Sequence, residues 1–408
     1  MAGRRNGSPR NGGKQTQPLR AVRRPRVALI YSWITRYRAA FNEALRNDLD
    51  SRGIELSVIY GQPHPEVARR QLAVTLDWAE RIENRFLSVG RKHLVWQPAL
   101  RLVRDADLMV VQQQTRDLLI YPLFAEQVLG RQRLAFWGHG RNMDSATSSG
   151  LGESIKRQMS RHVHWWFAYN DYSAALVRQL GFPSGRITIV RNAIDTRTLI
   201  EQSSLVTPAD LAGVRDRLGL DTDNIAIYCG AMYDLKRLPF LINACERIRE
   251  VVRDFHILFI GTGPDAHVVA QAAAENPWIH ELGPLFGEQM LPYFKLAKLL
   301  LMPGGVGLVT LDSFALQTPL VTIDHDRHGV EIDYLTHDRD SVILPRDTDV
   351  HGYATAVAEL LQDDARRQRL VDGCQASARE YSIEQMAARF GAGLQQALQA
   401  PSRALVRR

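Results

Sequence analysis

Cysteine is nearly missing from this chain. Cys229, Cys245 and Cys374 are its three cysteines among 408 residues, too few and too far apart for a disulfide framework or a cysteine-built zinc site, and their scarcity points to a reducing compartment. Long apolar runs are also lacking. The longest, around Leu299 to Met302, has the length of a buried strand, whereas a bilayer-crossing helix needs about 20 apolar residues. The 29 glycines and 18 prolines follow no collagen-like period, and no self-similar repeat announces a solenoid. Neither a Gly-x-Ser-x-Gly elbow nor a Gly-x-x-x-x-Gly-Lys-Ser/Thr loop occurs, so serine-hydrolase and P-loop chemistry have no motif behind them.

What is present is a folding composition: 45% apolar and 23% charged residues, at a length that suits two domains. The formal charge of +7 belongs to one end. The first 26 residues hold eight Arg or Lys and no acid; removing that +8 from +7 leaves −1 for the remainder. Residues 1–25 therefore read as a flexible basic tail without the apolar segment of a signal peptide. Nucleic acid is not an expected partner. A tail of this kind can graze an anionic membrane, at about 1 kcal/mol per cation near the surface, which suits a cytoplasmic protein peripheral to the inner face of the plasma membrane.

From Arg26 onward, short apolar runs alternate with amphipathic stretches. Arg26 to Tyr31 reads as a strand and Ala39 to Leu49 as a helix; Glu55 to Tyr60, Leu108 to Val111, Leu134 to Trp137, Trp165 to Tyr169 and Ile187 to Val190 continue the strands. A polar stretch, Glu201 to Pro208, marks a boundary. A second series follows: Ile225 to Cys229, His256 to Ile260, Leu299 to Met302, Leu320 to Ile323 and Ser341 to Leu344. Repeated alternation of strand and helix predicts parallel sheets covered on both faces. The expected fold is α/β, two doubly wound Rossmann-like domains, 26–203 and 204–382, facing across a cleft. A helix over 383–400 packs back toward the first domain, and 401–408 is a second tail. In such sheets, ligands bind beyond the carboxyl ends of the strands.

Five loops at strand ends can carry chemistry. In Pro303-Gly304-Gly305-Val306-Gly307-Leu308, the glycines allow close backbone approach and the amides at a helix start suit a phosphate; the same segment also reads as a plain strand-to-helix turn. Gly230 to Arg237 puts a glycine at a strand end and two cations, Lys236 and Arg237, before a helix, where they either neutralise a diphosphate or face solvent. Gly261 and Gly263 form a third glycine turn. His139, between Gly138 and Gly140 and followed by Arg141, stands at the end of a first-domain strand, as a cleft imidazole or an ordinary surface residue. Arg36, Tyr37 and Arg38 follow the first strand and either meet an acceptor or face solvent. The Asp-x-Asp pairs, including Asp324 with Asp326 beside His325 and His328, are scattered, and no metal is assigned.

Taken in order, Ile187-Thr188-Ile189-Val190-Arg191-Asn192-Ala193-Ile194-Asp195, Gly230 to Arg237, Ile260 to Pro264, Pro303 to Ala315 and Thr318 to Thr322 resemble the retaining glycosyltransferases of the two-domain GT-B type, the group-1 (family-four) superfamily. The resemblance covers Arg26 to about Leu398. It implies a metal-independent hexosyltransferase without a cofactor, whose donor substrate is a nucleotide-diphosphate sugar. By it, Gly230, Lys236, Gly305, Val306, Gly307 and Leu308 hold the diphosphate, and Asp312 binds the ribose. His139 lies beside the transferred sugar, while Arg36, Tyr37 and Arg38 lie toward a saccharide or lipid-linked glycan acceptor. Cell-envelope or exopolysaccharide synthesis is the implied setting. Two positions depart from the family pattern: Gly304 stands where the first motif glutamate belongs, and Ala231 replaces an arginine. A binding or scaffold protein that keeps this fold without turnover is the alternative, with an epimerase or phosphorylase on the same plan behind it.

Overall fold

The computed structural model describes residues 23–68, 73–89, 92–140 and 151–403. Most of the basic tail, the last five residues and Arg141 lie outside this set.

The first domain contains β1 (Arg26–Tyr31), β2 (Glu55–Tyr60), β3 (Glu80–Arg81), β4 (Arg85–Val89), β5 (Lys92–Trp96), β6 (Leu108–Gln112), β7 (Leu134–Gly138), β8 (Trp165–Ala168) and β9 (Ile187–Ile189). Seven of these form a parallel sheet in the order β3-β2-β1-β6-β7-β8-β9, while β4 and β5 make a separate antiparallel hairpin. The second domain contains β10 (Ile225–Cys229), β11 (His256–Ile260), β12 (Ile279–Gly283), β13 (Leu299–Leu301), β14 (Leu320–Ile323) and β15 (Ser341–Leu344), all parallel, in the order β12-β11-β10-β13-β14-β15. Each sheet reverses direction of growth once, beside its first strand.

Side chains alternate across a strand, and in β1 both faces are buried. Val27, Leu29 and Tyr31 enter one core, Ala28 and Ile30 the other. Continuous apolar strands are what a sheet covered on both sides requires. Four strands escape the sequence pattern: β3 is two residues long, the two of the β4–β5 hairpin lie outside the alternation, and β12 is an edge strand with polar His280 and Glu281.

The polar stretch expected to separate the domains is partly helical. Asp195 caps the helix Thr196–Ser204, its carboxylate accepting from the Thr198 amide at 3.0 Å, and Leu199 of that helix enters the second core. The last helix, Ile383–Gln399, crosses back and places Met386, Phe390, Leu394 and Ala397 in the core of the first domain. Phe390 stacks on Phe167 with centroids 4.2 Å apart and meets Trp137 edge-on at 5.1 Å. Burying one such ring contributes about 1.5–3 kcal/mol. A Cβ on Gly393 would overlap Thr188 and the Phe167 ring, so the helix tolerates the roughly 1 kcal/mol cost of this glycine because it lets the helix lie directly on the sheet.

Candidate active site

The strand order of the second sheet reverses between β10 and β13, and the loops leaving those two strands are the Gly230–Arg237 and Pro303–Leu308 segments. Parallel sheets place their ligands at this crevice. The two loops are knitted together. The Gly305 amide donates to the Leu235 carbonyl at 2.8 Å, the Lys236 ammonium donates to the Gly305 carbonyl, and Arg237 reaches the Pro303 carbonyl at 3.5 Å. A Cβ on Gly304 would overlap the Leu235 carbonyl oxygen and the Lys236 backbone. Glycine at 304 is thus required by packing, and no glutamate fits there.

The same logic accounts for the third glycine turn. Cβ atoms on Gly261 and Gly263 would overlap the carbonyls of Gly230 and Met232, and the Met232 amide donates to Thr262 O at 2.9 Å. These glycines seat one loop on another.

The four amides expected to hold phosphate divide into two pairs. Gly305 N–H is taken by Leu235, and Val306 N–H donates to Nδ1 of His328 at 3.1 Å; both are already bonded within the protein. The amides of Gly307 and Leu308 have no acceptor among the described residues, and a Cβ on Gly307 would meet open space. The cradle is therefore narrower than the sequence suggests. His328 also donates from Nε2 to Ile323 O at 2.9 Å, so both ring nitrogens are committed, and burial pushes its pKa down to about 4. It orders the loop as a neutral ring.

Lys236 is buried, and burial pulls its ammonium down to about 8, opposed by the nearby charge of Glu331. Asp312, in the helix Val309–Ala315, is half-buried with no hydrogen-bond donor among the described residues; burial alone pushes it up to about 7. An ammonium, two open amides and an unpartnered carboxyl thus surround the β10–β13 crevice.

On the first domain, His139 follows β7, half-buried, with its ring edge-on to Tyr169 at 4.3 Å. Gly140 takes φ 77°, and a Cβ there would press on Val177. Arg36 and Tyr37 are exposed. Arg38 is not: it lies 4.5 Å over the Trp137 ring, within 6 Å of Tyr37, Phe41 and Tyr169 as well, and touches Met386 of the last helix. That burial leaves it little surface for an acceptor and makes it a pin between the first sheet and the returning helix.

The loop after β14 joins the two halves; the sequence singled out only its Asp324-to-His328 stretch, and that as an unassigned metal set. The Asn170 side chain donates to Val330 O and to Asp333 Oδ2, both at 2.7 Å, and Asp333 also accepts from the Tyr172 amide at 3.1 Å. Glu331 is buried there, hydrogen-bonded by Asn192 and under the influence of Arg38 and Lys236; burial holds its carboxyl above the usual range. Its signal was a His-Gly-Val-Glu run after a buried strand, which by itself suggests only a turn.

Two facing doubly wound domains, with a crevice of this chemistry in the second, define the GT-B class. Residues 223–363 match the family model of the group 1 glycosyl transferases. A D-inositol 3-phosphate glycosyltransferase of Stackebrandtia nassauensis is 28% identical over 192 residues, which is 41% of this chain and 40% of that protein; the chain spans between 40% and 52% of the curated relatives it matches. Among solved structures, Anabaena Alr3699/HepE in complex with UDP superposes with a TM-score of 0.66 at 13% identity, covering 91% of this chain and 99% of that one. Sucrose-phosphate synthase of Thermosynechococcus elongatus gives 0.65 at 14% identity, covering 93% and 100%. By fold the chain is a GT-B protein, and residues 223–363 of its second domain are similar to the group 1 glycosyl transferases.

Proposed function

We propose that this chain is a retaining glycosyltransferase that takes a sugar from a nucleotide-diphosphate donor and passes it to a saccharide or lipid-linked glycan. The observation that carries the reading is the pair of loops leaving β10 and β13, which are bonded to each other through Lys236 and Gly305 and carry the open amides of Gly307 and Leu308, followed by the helix of the unpartnered Asp312 carboxyl. The donor's diphosphate fits against the amides and ammonium, and its ribose hydroxyls satisfy Asp312. Loss of the leaving diphosphate builds charge that fixed dipoles and a cation stabilise, usually the largest catalytic term. The anomeric C–O bond to phosphate breaks as the acceptor oxygen bonds to the same face, and the acceptor's proton passes to the departing phosphate oxygen. His139 orients the transferred sugar from the first domain, with Arg36 and Tyr37 toward the acceptor. The UDP complex of a protein sharing the fold and the glycosyltransferase named among the relatives support a nucleotide-sugar donor. The basic tail motivates cell-envelope glycan synthesis at a membrane surface as the setting; no described helix is long and apolar enough to cross one.

A binding protein without turnover is the second reading, favoured by the packing that forbids a carboxylate at Gly304. Calorimetric titration with UDP, GDP and ADP, followed by sugar-release assays with their glucosylated forms, separates the two. Binding accompanied by donor hydrolysis or transfer supports the enzyme; binding with no release supports the second reading; no binding of any nucleotide removes both.

A further inference from the structure

The loop leaving β2 and the β4–β5 hairpin bring together three Lewis-basic side chains that donor chemistry does not use. His64 lies in the loop, Glu66 in the single helical turn Pro65–Ala68, and His93 in β5. The two imidazoles stack with centroids 4.1 Å apart, and Phe86 of β4 meets His64 edge-on at 5.1 Å. Across the hairpin, Ser88 is the register partner of His93, its hydroxyl 3.1 Å from Nδ1. The other nitrogen, Nε2, lies 3.8 Å from Oε2 of Glu66, and His64 Nδ1 is 4.0 Å from the same oxygen. One donor atom from each residue lies within 4.8 Å of the other two.

We propose that His64, Glu66 and His93 form a binding site for a divalent transition-metal ion of the zinc class. The Glu66 amide donates to His64 Nδ1 at 3.4 Å, which marks that nitrogen as the unprotonated one, and this long hydrogen bond yields when the nitrogen ligates. The carboxylate-to-imidazole separations exceed hydrogen-bond length, so no proton is shared between these atoms. Two imidazole nitrogens and one carboxylate oxygen gathered within 4.8 Å form a donor set that a divalent cation takes. Zinc bonds of about 2.0–2.1 Å set tetrahedral ligands roughly 3.3 Å apart, so the two carboxylate contacts need to shorten by well under an ångström and the imidazole pair, within 4.8 Å, by at most about 1.5 Å. Two imidazoles and one carboxylate, with water in the fourth position, suit zinc rather than magnesium or calcium, which favour oxygen alone. Ser88 supplies the outer hydrogen bond that fixes the His93 tautomer in such sites. Bound there, the ion ties the loop after β2 to the hairpin. The pairing of residues 29 positions apart on separate elements hides the cluster from any short sequence motif.

The experiment uses the full, untagged chain, treated with chelator and titrated with Zn2+ by calorimetry. One zinc is expected, with affinity at least tenfold weaker in His93→Gln and in Glu66→Gln. His256→Gln, at another histidine pair, is expected to bind as the parent does, and nucleoside diphosphate affinity is unchanged in all three. Co2+ added to the parent chain provides a readout independent of the variants' folding: intense tetrahedral visible bands support the site, and a pale octahedral spectrum overturns it. Absence of zinc uptake, or equal uptake in the parent and both site variants, likewise overturns it.

Discussion

The two parallel sheets reverse at equivalent places, yet their crevices are filled differently. Between β1 and β6 of the first domain, the protein's own side chains occupy the space: Gln97 donates to Tyr31 O at 2.7 Å, Asn84 to Ser32 O at 2.6 Å, and the Ser32 hydroxyl to Asp117 at 3.0 Å, all buried. Between β10 and β13 of the second domain, glycines and backbone carry the packing, and the remaining polar groups, the Gly307 and Leu308 amides and the Asp312 carboxyl, have no protein partner among the described residues. The first crevice is closed by these side chains, although Asn84 Oδ1 and Asp117 Oδ1 stay buried without a hydrogen-bond partner among the described residues; in the second the open groups are two backbone amides and one carboxyl, which the proposed donor would meet. The contrast supports the proposed donor site in the second domain, with His139 and Tyr169 standing at the ends of β7 and β8 in the first.

Removing the cation from the open crevice is the strongest way to break this contrast. Lys236→Ala is expected to weaken nucleotide-diphosphate binding by roughly 10- to 100-fold, the worth of a charge-assisted hydrogen bond of about 1.5–3 kcal/mol. Calorimetry with UDP reads it, and an unchanged dissociation constant would show that the ammonium serves only the Gly305 carbonyl. His139→Ala tests the other side: turnover is expected to fall by about tenfold or more while nucleotide affinity stays within twofold. Full turnover in that variant would make the imidazole a bystander.

A third variant touches the first domain alone. Gly393→Val sets a branched side chain against Thr188 and Phe167, and Thr188 is held by the Trp165 indole at 2.9 Å, so neither neighbour yields freely. Overpacking of this kind costs about 1–3 kcal/mol. Urea denaturation of the first domain's tryptophan signal should shift accordingly, with UDP affinity preserved. A loss of nucleotide binding equal to the loss of stability would mean that the two domains do not act separately.

The glycine loops of the second domain were legible as strand-to-helix turns because their information is local. A glycine at a strand end, a cation a few residues on and a helix start all fall within a ten-residue window, as in Gly230 to Arg237. The reason for some of those glycines was not: Gly261, Gly263 and Gly304 make room for carbonyls of a neighbouring loop, a demand visible only once the strands are side by side. The sequence reads Arg38 as an acceptor contact or a solvent-facing residue, because an arginine after a strand is usually exposed. Its cage of Tyr37, Phe41, Trp137 and Tyr169, closed by Met386, is drawn from four stretches of the chain. Glu331 escaped notice for the same reason, and His328 was weighed only as a metal ligand, since what they bond lies on other loops and, for Glu331, partly on the other domain.

The smallest expected effect follows from the two perturbed groups of the open crevice. Ribose hydroxyls donate to the Asp312 carboxylate, so donor binding favours its ionised form and lowers a pKa that burial holds at about 7. Affinity is then full above pH 7 and declines as pH falls through that value. A diphosphate favours the Lys236 ammonium and raises a pKa that burial holds at about 8, so affinity is full below pH 8 and declines as pH rises through it. Donor affinity should therefore peak between about pH 7 and 8, with a change of up to about tenfold per unit on either side. A nucleotide sugar is the suitable probe, because its diphosphate, esterified at both ends, does not titrate in this range. Asp312→Asn should flatten the acid limb and Lys236→Arg should extend the plateau to higher pH. If both variants keep the parent profile, the crevice between β10 and β13 is not where the donor's charge is read.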